Sequence, residues 1–250
     1  MNNSRLFQKA TRSLRKTTRQ FFLRPLNQFW IANRGPILLV ALVVIPIKSS
    51  LADWNWVPTG SMNPGIQEGD LIFVNKTAYD VRIPLTLHRL HRHADPDRGD
   101  IVVCFSPGEG TRLVKRVVAV PGDTVEMRRN HLHINGESAD YCPAAREDTV
   151  GLRYELTAAA AFAEETVLGH SRVVMALPSA PNSHRDFPPI TIPEGQFFVV
   201  GDNRDNSRDS RYFGTIPRHL IVGEAKAVIL SFDKYCNLKP KFSRWFTELD

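Results

Sequence analysis

Ser61 stands in the segment VPTGSMNPG, directly behind Gly60, which lets the chain turn tightly and present a hydroxyl. Thr59 adds a second hydroxyl and Met62 a flexible apolar wall. A serine hydroxyl attacks a carbonyl only when a neighbouring base takes its proton. The eight histidines offer no Ser-His-Asp set, so the lysines matter, and between the apolar segment described below and Leu230 these are Lys76, Lys115 and Lys226. A strand over residues 112–120 would place Leu113, Lys115, Val117 and Ala119 on one face, because side chains alternate along a strand. Lys115 is then a cation among aliphatics, and desolvation favours its neutral, proton-accepting form. Lys226, between Ala225 and Ala227, satisfies the same argument. Residue types alone leave the choice open, and a lysine snorkelling from a half-exposed strand competes with both.

Other chemistries find less support. The chain has no phosphate-cradling GxxxxGK[ST], no HExxH and no GxSxG. His88, His91 and His93 are interleaved with Arg89 and Arg92, whose charges repel a metal ion, and His131 and His133 on one strand face read as surface residues. The run Asp202, Asp205, Asp209 is not a calcium loop, since Arg204 occupies a liganding position and the turn glycine is missing. Cys104, Cys142 and Cys236 have no metal-type spacing and allow at most one disulfide, and Cys104 reads as a small buried hydrophobe.

The elements that must carry Ser61 and a lysine follow from patterning over 250 residues, enough for one or two compact units. Residues 1–35 hold eight basic side chains and no acidic one, whereas the rest holds 24 positive against 26 negative. The basic character is thus confined to the N-terminus, which disfavours a nucleic-acid-binding body. Next comes PILLVALVVIPI at 36–47, extendable to Trp54 if Lys48 snorkels, with Trp54 and Trp56 as interfacial aromatics. This reads as an uncleaved membrane anchor over 36–54 with its basic flank in the cytoplasm. A buried helix leaves the basic flank unexplained, and a cleaved signal peptide would have far too long a basic region.

Beyond the anchor, short β-rich runs at 71–74, 101–105, 112–120, 131–134, 196–200 and 225–232 alternate with turn signals, predicting mainly antiparallel β structure. Asn135-Gly136 predicts a two-residue hairpin turn. Residues 156–168, LTAAAAFAEETVL, predict a helix, 82–97 a loop and 178–193 an extended crossing.

PTGSM at 58–62, GDLIFVNK at 69–76, RGDIVVC at 98–104, LVKRVVAVPGD at 113–123 and GDNRDNSRDSRYFG at 201–214 resemble the five ordered boxes of bacterial type I signal peptidases. The resemblance implies a membrane-tethered serine endopeptidase with a Ser/Lys dyad and no cofactor. Such an enzyme cuts signal peptides from exported preproteins after small residues at −1 and −3, outside the inner membrane. It assigns Ser61 as nucleophile, Lys115 rather than Lys226 as base, the Ser61 N–H and Thr59 hydroxyl as oxyanion hole, and Ser207 as the group orienting the lysine. Val57, Met62, Ile66 and Val114 fall where the family lines its substrate pockets. Asp202 and Asp209 with Arg116 and Arg211 match ion pairs that hold the last box against the catalytic strand. Thr59 and Gly65 depart from the more usual serine and threonine.

The expected architecture is therefore a mainly β, antiparallel catalytic core over 55–126 and 194–232, preceded by one N-terminal transmembrane helix. A small inserted α/β-type cap occupies 127–193 and a tail 233–250, and the partners are preproteins and the lipid bilayer rather than nucleic acid. Rival readings are a specialised peptidase maturing one pilin- or conjugation-type substrate, and a silent membrane-anchored paralogue that only binds. The tail, LKPKFSRWFTELD, either touches lipid through Trp245 and Phe246 or frays.

Overall fold

The computed structural model describes residues 33–36, 38–44, 50–83, 89–144, 151–152, 154–180 and 183–249. The chain divides into two compact units, Met1–Lys48 and Ser49–Asp250. In the first, Val40–Val44 forms a π-helical stretch with exposed side chains; the basic segment up to residue 32, the run 45–49, and His88 lie outside the described residues. Among the described residues no helix is long and apolar enough to cross a membrane.

The second unit is built on strands: Asp70–Asn75 alternates between buried and half-buried residues, whereas Ile101–Phe105 and Gln196–Val200 are buried on both faces. Strands β1 (Ala52–Trp56), β2 (Asp70–Asn75), β3 (Asp80–Arg82), β4 (Arg89–Arg92), β5 (Ile101–Phe105) and β6 (Arg112–Ala119) come first. The insertion carries β7 (Thr124–Arg128), β8 (His131–Ile134), β9 (Glu137–Ser138), β10 (Asp140–Pro143), the short helix α1 (Tyr154–Ala159), β11 (Ala161–Val167), β12 (His170–Ala176) and β13 (Phe187–Thr191). The chain then returns through β14 (Gln196–Val200), α2 (Ser210–Phe213), β15 (Ile216–Pro217) and the long β16 (Ile221–Asp233), with β17 (Lys239–Pro240) and β18 (Thr247–Glu248) paired against β16.

The main sheet runs β1-β2-β16-β5-β6-β14-β15. It curls until β1 returns to β6: Asp53 and Arg112 form an ion pair at 3.0 Å. The curl encloses an apolar core of Val57, Met62, Ile66, Ile72, Val74, Ile101, Val103, Val222, Ala225 and Val228, with Val114 packed against it. Leu113, on the alternate face of β6, packs with Val102, Cys104, Val117, Phe197 and Val199. A third core joins β6 and β14 to β7, β8 and β11. The mainly antiparallel β architecture agrees with the sequence reading.

Three elements differ from expectation. Ala52–Trp56 is a strand of the main sheet, so the apolar segment ends earlier than residue 54. Residues 82–97 contain the second half of the β3-β4 hairpin. Most instructive is 156–168: the helix stops at Ala159, and Ala161–Val167 pairs along its whole length with β12. Leu168 and Gly169 take positive φ at that turn, 49° and 79°, and Glu165 faces Arg172 across the ladder. Cross-strand pairing overrides the helical preference of alanine and glutamate. The described part of the insertion is accordingly mostly β. The Asn135-Gly136 turn forms as expected, with φ of 54° and 83° closing β8 onto β9.

Candidate active site

Ser61 opens the turn between β1 and β2. Its base is laced by the Val57 N–H to the Asp70 carbonyl at 2.9 Å and the Gly69 N–H to the Val57 carbonyl at 3.0 Å. Inside the loop the Ile66 N–H donates to the Met62 carbonyl, while Met62 and Ile66 bury in the core. The apolar residues around the hydroxyl are therefore the plug that fixes its turn in place.

Lys115 enters from β6. Its Nζ lies 2.6 Å from Ser61 Oγ and donates to the Val114 carbonyl at 2.9 Å. The residue is 2% exposed. Burial pushes the amine below its ordinary pKa, opposed by the nearby carboxylates of Asp209 and Asp202. Lys226 is exposed and paired with Glu224 at 2.5 Å, so the structure separates two lysines that residue types left level.

The remaining expected residues converge on this pair to different degrees. Arg116, next to Lys115, donates two bonds to Asp202, at 3.0 and 2.9 Å, and a third to the Gly99 carbonyl at 2.8 Å. That pair ties residues 201–214 to β6. Asp209 and Arg211 instead pair within the last box, at 2.8 Å, and the Gly201 N–H donates to Asp209 at 2.9 Å. Burial alone would raise Asp209, but these donors hold its carboxyl below the usual range. Val57, Met62 and Ile66 are buried and Val114 half-buried in one core, and Thr59 is exposed. Ser207 is buried, and its hydroxyl helps hold the Asp209 carboxyl below the usual range. It sits beside the Ser61 turn: a Cβ on Gly201 would collide with the Ser207 hydroxyl and lie 2.5 Å from the Ser61 carbonyl oxygen. Glycine is required there because two backbones and a side chain meet at contact distance.

Two features escape residue-level reading. Asn203 holds the Ser61 turn from behind, its N–H donating to the Ser61 carbonyl at 3.1 Å and its Nδ2 to the Gly60 carbonyl at 3.0 Å. Its place in the box GDNRDNSRDS was the available signal. The insertion grips the same loop, since the Met175 N–H donates to the Asp202 carbonyl at 2.8 Å and the Arg204 N–H to the Met175 carbonyl at 2.7 Å. Below that bridge, buried Glu165 takes ion pairs from Arg172 and Arg204 and a 2.5 Å bond from the Tyr141 hydroxyl. Burial works against the Glu165 anion, but the two guanidinium groups hold its pKa at about 2. No local signal announces this cluster, because its members come from three separate segments.

All three cysteines are free, Cys104 buried and the other two exposed. Among the described residues no histidine, cysteine and carboxylate group could hold a metal ion.

A serine hydroxyl against a buried amine on a curled antiparallel sheet defines a serine hydrolase arrangement without an imidazole. The family model for signal peptidase, peptidase S26, matches residues 30–230. The chain is 36% identical over 234 residues to a signal peptidase I of Pseudomonas aeruginosa, covering 85% of this chain and 80% of that protein. It is 29% identical over 225 residues to a signal peptidase I of Bacillus amyloliquefaciens, covering 89% and 96%. A crystal structure of a signal peptidase I from Enterococcus faecalis aligns at 32% identity and a TM-score of 0.33, covering 52% of this chain and 97% of that one. The chain belongs to the signal peptidase family, peptidase S26, and is a serine endopeptidase of the signal-peptide-removing kind.

Proposed function

We propose that this chain removes signal peptides from exported preproteins with Ser61 as nucleophile and Lys115 as general base. The observation that carries the reading is the 2.6 Å approach of Lys115 Nζ to Ser61 Oγ inside an apolar wall that favours the neutral amine.

In the acylation step the neutral Lys115 amine takes the Ser61 proton as Oγ attacks the carbonyl carbon of residue −1. The Ser61 N–H and the Thr59 hydroxyl receive the negative charge that develops on the carbonyl oxygen, a contribution of ~3 kcal/mol per well-aimed donor. The Lys115 ammonium then returns the proton to the departing amine of the mature chain. A water deprotonated by Lys115 hydrolyses the acyl-enzyme. Ser207, buried beside this turn, orients the amine once substrate excludes water. Val57, Met62, Ile66 and Val114 shape pockets that admit small side chains at −1 and −3 and reject large ones through overlap.

Residues 1–35 form a basic cytoplasmic segment, the apolar run from 36 anchors the chain in the inner membrane, and the second unit lies outside. The charge asymmetry of the N-terminus supports this topology. A reporter active only when exported, fused after Asp250, tests it, and activity of a cytoplasm-only reporter there would overturn it.

The deciding experiment incubates the purified full chain with a preprotein carrying Ala at −1 and −3 and sequences the new N-terminus. Cleavage at that bond is expected from the wild type and not from Ser61→Ala, Lys115→Ala or Lys115→Arg, whose guanidinium cannot accept the proton. Near wild-type turnover by Lys115→Ala would sink the dyad. Lys226→Ala is expected to retain activity.

A further inference from the structure

Strands β1 and β6 face one another across a gap that no described strand fills. β1 pairs with β2 alone, and β14 meets β6 only from Arg116 onward, so residues 112–115 present an open edge. The gap is bridged at two places. Ser61 and Lys115 close one end at 2.6 Å, and Asp53 and Arg112 close the other at 3.0 Å. Along β6 the two closures are three residues apart, ~10 Å at ~3.3 Å per residue. That length suits a short extended peptide bonding to both edges.

The side chains fix which part of a substrate would meet the second closure. Val57 and Val114 lie between the two bridges, so pockets for −1 and −3 built on them place the residues before the scissile bond on the Arg112 side of Ser61. Side chains at −1, −3 and −5 share one face of an extended peptide. Asp53 and Val57 share a face of their own segment, as do Arg112 and Val114. The −5 side chain is thus the one brought to the ion pair.

We propose that Arg112 is a specificity-determining residue that favours an acidic side chain at −5 and disfavours a basic one. The inference rests on the hydrolytic reading above and adds a charge rule to it. Arg112 keeps 35% of its side chain exposed, whereas Asp53 keeps 11%. Asp53 is also held by Lys76 at 3.5 Å, and its Oδ1 accepts the Trp54 N–H at 2.9 Å. Arg112 can therefore turn to a substrate carboxylate without leaving Asp53 stranded. A lysine at −5 would instead enter a corner that already holds two cations for one carboxylate.

Three preproteins identical except for Glu, Gln or Lys at −5, each with Ala at −1 and −3, test this with the full-length protein in detergent at low salt. The expected kcat/KM is about fivefold higher for Glu than for Lys, the scale of a partly exposed ion pair. The ratio should fall to about one in Arg112→Gln, stay above one in Arg112→Lys and invert in Arg112→Glu, and raising salt should flatten it in the wild type. Equal cleavage of the Glu and Lys substrates, or a ratio unchanged in Arg112→Gln, overturns the charge rule while leaving the hydrolytic reading intact. Failure of the wild type to cut any of the three overturns both.

Discussion

At the scale of single residues, the proposed dyad requires a neutral Lys115 to accept the Ser61 proton, and burial of Lys115 favours that form. An exposed lysine titrates near ~10.4 and is almost wholly charged at neutral pH. Burial shifts this one downward, so kcat/KM is expected to climb with pH along a single limb whose midpoint lies below the ordinary lysine value. The sign matters: activity belongs to the deprotonated form and is lost as pH falls through the lowered pKa. Ser207→Ala should move that midpoint upward and reduce turnover, at a stability cost of about 1 kcal/mol for the hydroxyl that favours the Asp209 anion. A pH profile identical to wild type, measured by initial rates across the alkaline range, would count against Ser207 as the orienting group. This part of the site was legible in the sequence because it rests on local rules. The two-residue period of β6 put Lys115 among aliphatics, and Gly60 before Ser61 marked an exposed hydroxyl. What residue types could not supply was the choice of Lys115 over Lys226, since both sit on strands between small or apolar neighbours. The structure decides it by placing one inside the curl beside Ser61 and the other on the surface.

At the scale of elements, the nucleophile turn depends on partners remote in sequence. Asn203 bonds the carbonyls of both Gly60 and Ser61. Asn203→Ala removes the Nδ2 bond but keeps the main-chain one. Turnover is therefore expected to drop by about tenfold with little change in KM, as when a bond of ~1.4 kcal/mol that holds the reacting geometry is lost. A rise in KM at constant kcat would assign Asn203 to substrate binding instead. Asn203 is itself carried by the bridge from β12, and β12 is pinned by Glu165 to Arg172 and Arg204. Glu165→Gln leaves two buried guanidinium groups without their anion, so a loss of about 3–5 kcal/mol is expected in urea unfolding. A loss below about 1 kcal/mol, the size of an exposed pair, would show the cluster is not the clamp described. The sequence pointed away from this arrangement, because alanine and glutamate over 156–168 favour a helix locally. The strand exists through its ladders to β10 and β12 and the charges beneath it, and such pairing leaves no periodic trace.

At the scale of the whole molecule, the second unit carries a continuous aromatic ridge that its own core does not need. Tilted ring pairs join Trp56 to Phe232 at 5.9 Å, Phe232 to Trp245 at 6.1 Å, and Trp245 to Phe242 at 4.7 Å. Trp56 is 57% exposed, Phe242 68% and Phe246 74%, with Leu238 beside them at 65%. A cleft of about 500 Å³ lined by Trp56, Val57, Pro58, Gly69, Phe232, Lys234 and Leu238 opens along the same face. The tail that supplies half of this ridge does not fray. β17 and β18 pair with β16, Arg244 donates to Asp70 at 2.7 Å, and Trp245 Nε1 donates to the Ser231 carbonyl at 3.1 Å. Ordered aromatics left in water, flanked by Lys234, Lys239 and Lys241, suit a bilayer interface, where the rings meet acyl chains and the amines meet headgroups. The expected outcome in liposomes is that brominated lipids quench the fluorescence of Trp56 and Trp245 in the full chain, measured in a Trp30→Phe/Trp54→Phe background. The double variant Phe242→Ser/Phe246→Ser should weaken that quenching without disturbing the bonds of Arg244 and Trp245 that hold the tail. Deleting the tail would be a poor test, because removing β18 and Arg244 would damage the sheet as well as the surface. Emission equal in brominated and ordinary lipid would place the ridge in water.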